Sequence, residues 1–285
     1  MSVTLLLIAG FYRFFVLYLH GIASAFGWRG ELLKTKGRGR SKLLAREFRL
    51  SLVTLKLDEI WNAFMTQEIS VAPARSESTI WPNLVAFFIL YAFAALALLH
   101  FLRPDYTPRS HMISDYAVGH FGWLMQSVFV AMSLGYLSLA IGLHRSGLRS
   151  LVARIAISLL VVVSVGLIVS AIFPTDLEES TVNTRTGNIH TVSFLINVGG
   201  SILVALLLPL AYRKHPGWRS FRVESVLWAA LILIAFFIQF RTLHRGAPYG
   251  ITNRAFVLIL FSWTLITASR MRTVLIRPTL APAAV

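Results

Sequence analysis

Six uncharged apolar runs occupy roughly the last two hundred residues: Leu84 to Leu102, Phe121 to Leu143, Ile155 to Phe173, Thr191 to Tyr212, Ser225 to Phe240 and Ala255 to Ser269. At about 1.5 Å per helical residue, most of them cross a hydrocarbon core about 30 Å thick. The expected fold class is all-α: a polytopic membrane helix bundle with six core transmembrane helices.

Six spans put both ends of this core on one side, and the charges say which. Arg145, Arg149 and Arg154 follow the second run, Arg213, Lys214, Arg219 and Arg222 follow the fourth, and Arg270, Arg272 and Arg277 follow the last. Such an excess of cations marks cytoplasmic loops. Asp105, Asp115, Asp176, Glu178 and Glu179 fall on the opposite face, and Glu224 is the exception. Trp81, Tyr212 and Trp218 then lie at the inner boundary, with Tyr106, Tyr116, Trp123 and Tyr249 at the outer one, as interfacial belts require.

Composition narrows the function classes. With 56% hydrophobic residues and a mean hydropathy of +0.69, no sizeable soluble domain fits beside the spans. The +15 net charge is accounted for by cytoplasmic loops, and without a basic domain it does not point to nucleic acid. The partner expected is the lipid bilayer. The absence of cysteine excludes disulfides, thiol nucleophiles and covalent haem attachment. Histidines at helix ends do not suit a membrane-embedded haem. The only lysine after residue 82 is Lys214, in a loop, which removes a retinal site. No cofactor is predicted. The preponderance of Arg over Lys suggests a GC-rich coding bias, hence a bacterial plasma membrane.

Residues 1–64 differ in character from the rest of the chain. Ser2 to Gly27 is apolar apart from Arg13 and His20, and a dense basic stretch comes directly after it. One reading is an extra N-terminal helix with an external start. A second is that Met65 is the true start, with residues 65–82 a polar leader, 83–275 the six-helix domain and 276–285 a cytoplasmic tail. A signal peptide fits less well, because the cations come after the apolar run.

Candidate site residues gather at the outer surface. Ser114 is placed to cap the second helix, after which Asp115, Gly119, Gly122, Gln126 and Ser133 share one face. The fourth helix repeats the pattern with His190, Ser193, Asn197, Gly200 and Ser201. Both faces should point into the bundle, either as packing contacts or as a lining for a solute. The fifth and sixth runs are short, so Arg241 and Arg254 at their outer ends should snorkel or meet an acidic partner, Asp115 or Asp176. The alternative is a cationic pocket for a phosphate or carboxylate. His111, His120, His190 and His244 lie on the same surface. With Asp115 and Asp176 they offer mixed ligands for zinc, though no pair has the spacing of a ligand motif; Asp115, Asp176 and His190 are the weak metal candidates.

The strings ISDYAVGHFGWLM from Ile113, FPTD at Phe173 to Asp176, GNIH at Gly187 to His190 and YGITNR at Tyr249 to Arg254 resemble the domain of unknown function 998 family of bacteria and archaea. The resemblance runs from about Leu84 to Arg272. It implies a six-helix integral membrane protein and brings no activity with it. Its motifs contain Asp115, Asp176, His190 and Arg254.

The leading functional expectation is an outward-facing polar site that binds or moves a small molecule or a lipid headgroup in the outer leaflet. The alternatives are a metal-dependent membrane-embedded hydrolase and a non-catalytic structural or assembly protein. The topology is testable, because the chain has no thiol of its own. Arg149→Cys, in the Gly147 loop, should resist an impermeant maleimide on intact cells, and Glu178→Cys should react. Labelling at 149 with protection at 178 would invert the orientation.

Overall fold

A computed structural model describes residues 79–177, 182–244 and 246–276. The N-terminal extension, the leader up to residue 78, Glu178, Glu179 and the tail beyond Ile276 lie outside these residues. Every described element is helical. The six long helices are α1 (Ile80–Leu102), α2 (Gly122–Arg145), α3 (Leu151–Ile172), α4 (Arg185–Tyr212), α5 (Arg222–Thr242) and α6 (Tyr249–Ile276). Each is long and apolar enough to span a membrane. The shortfall foreseen for the last two runs is met by helix that continues through Arg241 and starts before Arg254.

Local chemistry sets the boundaries. Pro82 falls in the first turn of α1, where its missing N–H has no intrahelical partner to lose. The last residues assigned to the leader, Ile80 to Pro82, therefore already belong to α1. Ser150 caps α3 by accepting from the Ala153 amide at 3.2 Å, and Thr184 caps α4 by accepting from Gly187 at 3.0 Å.

The start of α2 differs from expectation. Ser114 caps nothing there. Ile113–Ala117 form a separate 3₁₀ turn, and α2 begins only at Gly122. The Asp115 carboxylate takes the Met112 amide at 2.8 Å and closes the turn on itself. Gly119 (φ 78°) and Phe121 (φ 60°) then reverse the chain through left-handed conformations. Asp115 and Gly119 therefore lie outside the helical face assigned to them, whereas Gln126 and Ser133 remain on α2.

Each helix packs against its chain neighbours, and α6 closes the circle onto α1 while also touching α2. The central members are α4 and α2, whose spanning windows are 72% and 67% buried against 33% for α1 and α5. These are the two helices whose polar faces were expected to turn inward. Ser133, His190, Ser193, Asn197 and Ser201 are indeed buried.

Small residues let the helices approach. Gly166 on α3 lies against the Asn197 side chain, and Gly200 on α4 against Val163. Hydroxyls bridge the gaps: Ser133 donates to the Ser164 carbonyl at 2.8 Å, and Ser170 and Ser193 share a 2.7 Å bond.

The aromatic belts are only partly realised. Trp123 is 65% exposed, but Tyr116, Tyr212 and Trp218 are fully buried. Tyr212 and Trp218 stack at 4.6 Å, and the Trp218 indole donates to Ser146 at 3.0 Å, tying the loops of the arginine-rich end together. These rings sit near the ends of the spanning helices but face protein.

The Gly166 contact yields a prediction. Gly166→Ala puts a methyl where the Asn197 side chain now lies, so it should cost about 1–3 kcal/mol of stability, as overpacking does. Adding Asn197→Ala should restore part of the loss in thermal unfolding. Strictly additive losses would show that the two residues are not coupled.

Candidate functional site

The end of the bundle opposite the arginine-rich loops is closed by two clasps. The first gathers the loop between α1 and α2 onto the start of α6. Arg254 donates from Nε to His100 Nε2 at 2.7 Å, from Nη1 to the carbonyls of His111 (2.6 Å), Gly250 (2.9 Å) and Pro108 (3.1 Å), and from Nη2 to the Tyr116 hydroxyl at 3.1 Å. Since His100 Nε2 accepts, its ring proton lies on Nδ1, which donates to the Leu96 carbonyl at 2.6 Å. Asn253 accepts the Ile113 amide at 3.1 Å. At Gly250 the backbone comes so close to Pro108 and His111 that a Cβ would collide with their carbonyls.

Arg103 completes this clasp from the other side. Its Nη1 donates to the carbonyls of Val118 (2.8 Å) and His120 (2.7 Å), and its Nε and Nη2 hold Asp105, with a closest approach of 2.8 Å. It also lies 4.1 Å from the centre of the Tyr106 ring, a cation–π contact. The Arg103 guanidinium holds the Asp105 carboxyl below its ordinary range, and the same bond raises Arg103 further.

The second clasp joins α3 to α4. The Asp176 carboxylate accepts from the Thr184 amide and hydroxyl, both at 2.7 Å, and packs on the bare backbone of Gly187. An anion at a helix N-terminus is favoured by the orphan amides and the helix dipole. His190, one turn on, is buried and holds the Phe173 carbonyl through Nδ1 at 2.8 Å, with Phe129 of α2 edge-on to its ring.

The sequence candidates therefore divide. Asp115 sits in the turn that Arg254 holds, and Asp176 and His190 share the second clasp. His120 contributes a carbonyl to Arg103 while its residue is exposed; Arg241 and His244 are exposed at the end of α5 and the loop beyond it. Arg254 meets neutral acceptors where a carboxylate was expected. Most of its N–H groups are committed to them, which leaves little for an anion. Among the described residues no three His, Asp or Glu side chains gather as metal ligands.

Sequence reading missed Arg103, His100 and Asn253. Arg103 carried a signal: it is a cation directly after an apolar run at the acid-rich end, against the charge rule, so an internal partner was to be expected. The family strings also pair in space, ISDYAVGH with YGITNR and FPTD with GNIH.

These elements define a multi-pass helical membrane protein with one end stapled by side-chain-to-backbone clasps. The model of the family described as protein of unknown function (DUF998) matches residues 84–270, and the chain belongs to that family. Comparisons with curated proteins and with solved structures find no match.

Arg254→Gln should lower stability by about 2–4 kcal/mol, because hydrogen bonds to a charged donor are worth about 1.5–3 kcal/mol each and the loop carbonyls lose their partner. Amide exchange should accelerate across residues 103–120, and Arg254→Lys should recover only part of the protection, for want of the planar fork. The Arg103–Asp105 contribution should be complete above the ordinary carboxylate range and fall away as pH drops through the lowered Asp105 value. Exchange in this loop that ignores Arg254 would remove the clasp from the account of stability.

Proposed function

We propose that the protein binds, and moves or presents, a small polar molecule or lipid headgroup at polar groups in the interior of its six-helix bundle. The clasped end faces outward and the arginine-rich end the cytoplasm, in the plasma membrane of a bacterial cell. The observation that carries this reading is a set of buried polar atoms without a hydrogen-bond partner: the Asn197 Oδ1, both amide atoms of Gln239 and the Tyr136 hydroxyl. The Tyr136 hydroxyl comes close to those of Ser201 and Thr264 without forming a well-aligned bond.

Inside a bilayer no water stands by to satisfy such groups, and each costs up to several kcal/mol. They also form a series in depth. Gln239 is less than one turn from the clasped end of α5, Asn197 lies about 18 Å along α4, and Tyr136 lies about 21 Å along α2. Neutral donors and acceptors stepping inward suit an uncharged polar group better than an ion. The hydrolase alternative would need a ligand set, and Asp176 already spends both carboxylate oxygens on Thr184.

Native mass spectrometry of the protein released from nanodiscs tests this. Wild type should retain a small-molecule or lipid adduct that the Gln239→Leu, Tyr136→Phe double variant loses. The variant should unfold no more easily, since an unmet buried polar group costs about 1–3 kcal/mol when nothing occupies the site. Full retention of the adduct by the variant would overturn the assignment.

A further inference from the structure

A polar recess lies at the arginine-rich end of the bundle, far from the clasps. It is a groove of about 380 Å³ between the start of α5 and the end of α6, with Phe221 and Ile266 among its walls. Ligand sites commonly begin at about 300 Å³. One acid, one base and several hydroxyls line it: Glu224, Arg270, Ser220, Ser269 and Thr273.

The charges in this groove are not paired with each other. Arg103–Asp105 is the one ion pair within 4 Å among the described residues, so Glu224 and Arg270 both line the groove without closing on one another. Arg270 is anchored through Nη2 alone, which donates to the Gly217 carbonyl and to Ser220 Oγ at 2.6 Å. Its Nε–H is buried and has no partner. The guanidinium is thereby fixed in place, and no described residue takes a bond from its Nη1 group. Ser220, whose oxygen accepts from Arg270, keeps its own proton to give. Thr273 spends its proton on the Ser269 carbonyl and so offers the groove only an acceptor, as the Glu224 carboxylate across from it on α5 does.

Donors around a fixed cation beside acceptors around an exposed anion match a ligand that carries both charges in one short group. We propose that this groove binds the headgroup of an amine-bearing phospholipid, its phosphate on Arg270 and Ser220 and its ammonium on Glu224 and Thr273. A phosphate takes hydrogen bonds from a guanidinium in water-poor surroundings with charge assistance. A primary ammonium can donate to Glu224, which a quaternary ammonium cannot. The source is lipid, because the groove lies at the ends of two spanning helices. Leu227 and Leu231, 65% and 41% exposed, continue from Glu224 one and two turns deeper along α5, alongside which acyl chains of the same molecule would lie. A lipid held in the same bilayer is already at high effective concentration, so a modest headgroup site is filled.

The test uses the full chain in detergent, with native mass spectrometry against dioleoyl phosphatidylethanolamine, phosphatidylcholine and phosphatidylglycerol in turn. Phosphatidylethanolamine should bind at least several-fold more than the other two. Glu224→Gln should erase that preference while leaving phosphatidylglycerol binding intact or increased, and Arg270→Gln should weaken all three. Because Arg270 also supports Gly217, its variant can fail through folding; Glu224 is exposed, so its variant keeps the test decisive. Equal binding of the three lipids by wild type, or an unchanged preference in Glu224→Gln, would overturn the proposal. Displacement of the lipid by millimolar phosphoethanolamine would assign the groove to the soluble compound and overturn the lipid reading too.

Discussion

A guanidinium held by neutral acceptors closes this molecule. Arg254 reaches His100 on α1, Tyr116 in the 3₁₀ turn and the carbonyls of Pro108 and His111 in the loop between α1 and α2. Through it the last helix is joined to the first and the ring is closed at that end. The loop has no other regular structure than one short turn, so its carbonyls need donors, and the bilayer boundary offers few. One planar cation with five N–H groups meets several at once, which no neutral side chain can do. Arg103 does the same for Val118 and His120, and the chain can then reverse through Gly119 and Phe121 into α2.

How much of this was legible depended on whether the signal was one of solvation or of local geometry. The six spans, the inward faces of α2 and α4 and the existence of a polar end followed from hydrophobicity and charge alone, because a bilayer penalises every violation. The start of α2 did not. Ser114 followed by an apolar run satisfies the rule for a helix cap, but Asp115 spends its carboxylate on Met112 and Arg103 pulls the next carbonyls outward. Both are contacts with a side chain distant in sequence or a turn competing with a helix, and neither has a periodic signature. Tyr116, Tyr212 and Trp218 were located at the correct ends by the belt rule, yet they are core residues; depth is readable from sequence, while the direction a ring faces depends on neighbours.

The same distinction applies to the candidate site. Asp115, Asp176, His190 and Arg254 were singled out because charged or titratable groups near a membrane suggest function. Their bonds go to backbone groups, to the Thr184 hydroxyl and, for Arg254, to the His100 ring and the Tyr116 phenol. An isolated cation or anion at such a boundary would be costly, and here Arg254 and Asp176 have their donors or acceptors met within the chain. The strings that contain them pair as lock and catch, so their presence in this chain has a structural explanation before any chemical one.

Two kinds of energetic exception remain in the structure, and they lead in different directions. Arg103 and Arg254 break the charge rule, and the protein itself supplies the compensation. The Asn197 Oδ1, both amide atoms of Gln239 and the Tyr136 hydroxyl break the rule that buried polar groups are bonded, and the described residues give these atoms no well-formed hydrogen bond. Replacing Gln239 or Tyr136 with an apolar side chain of similar shape would relieve that cost. Those atoms are what the binding role proposed above rests on, in preference to the conspicuous charges at the rim, whose bonds are met within the chain.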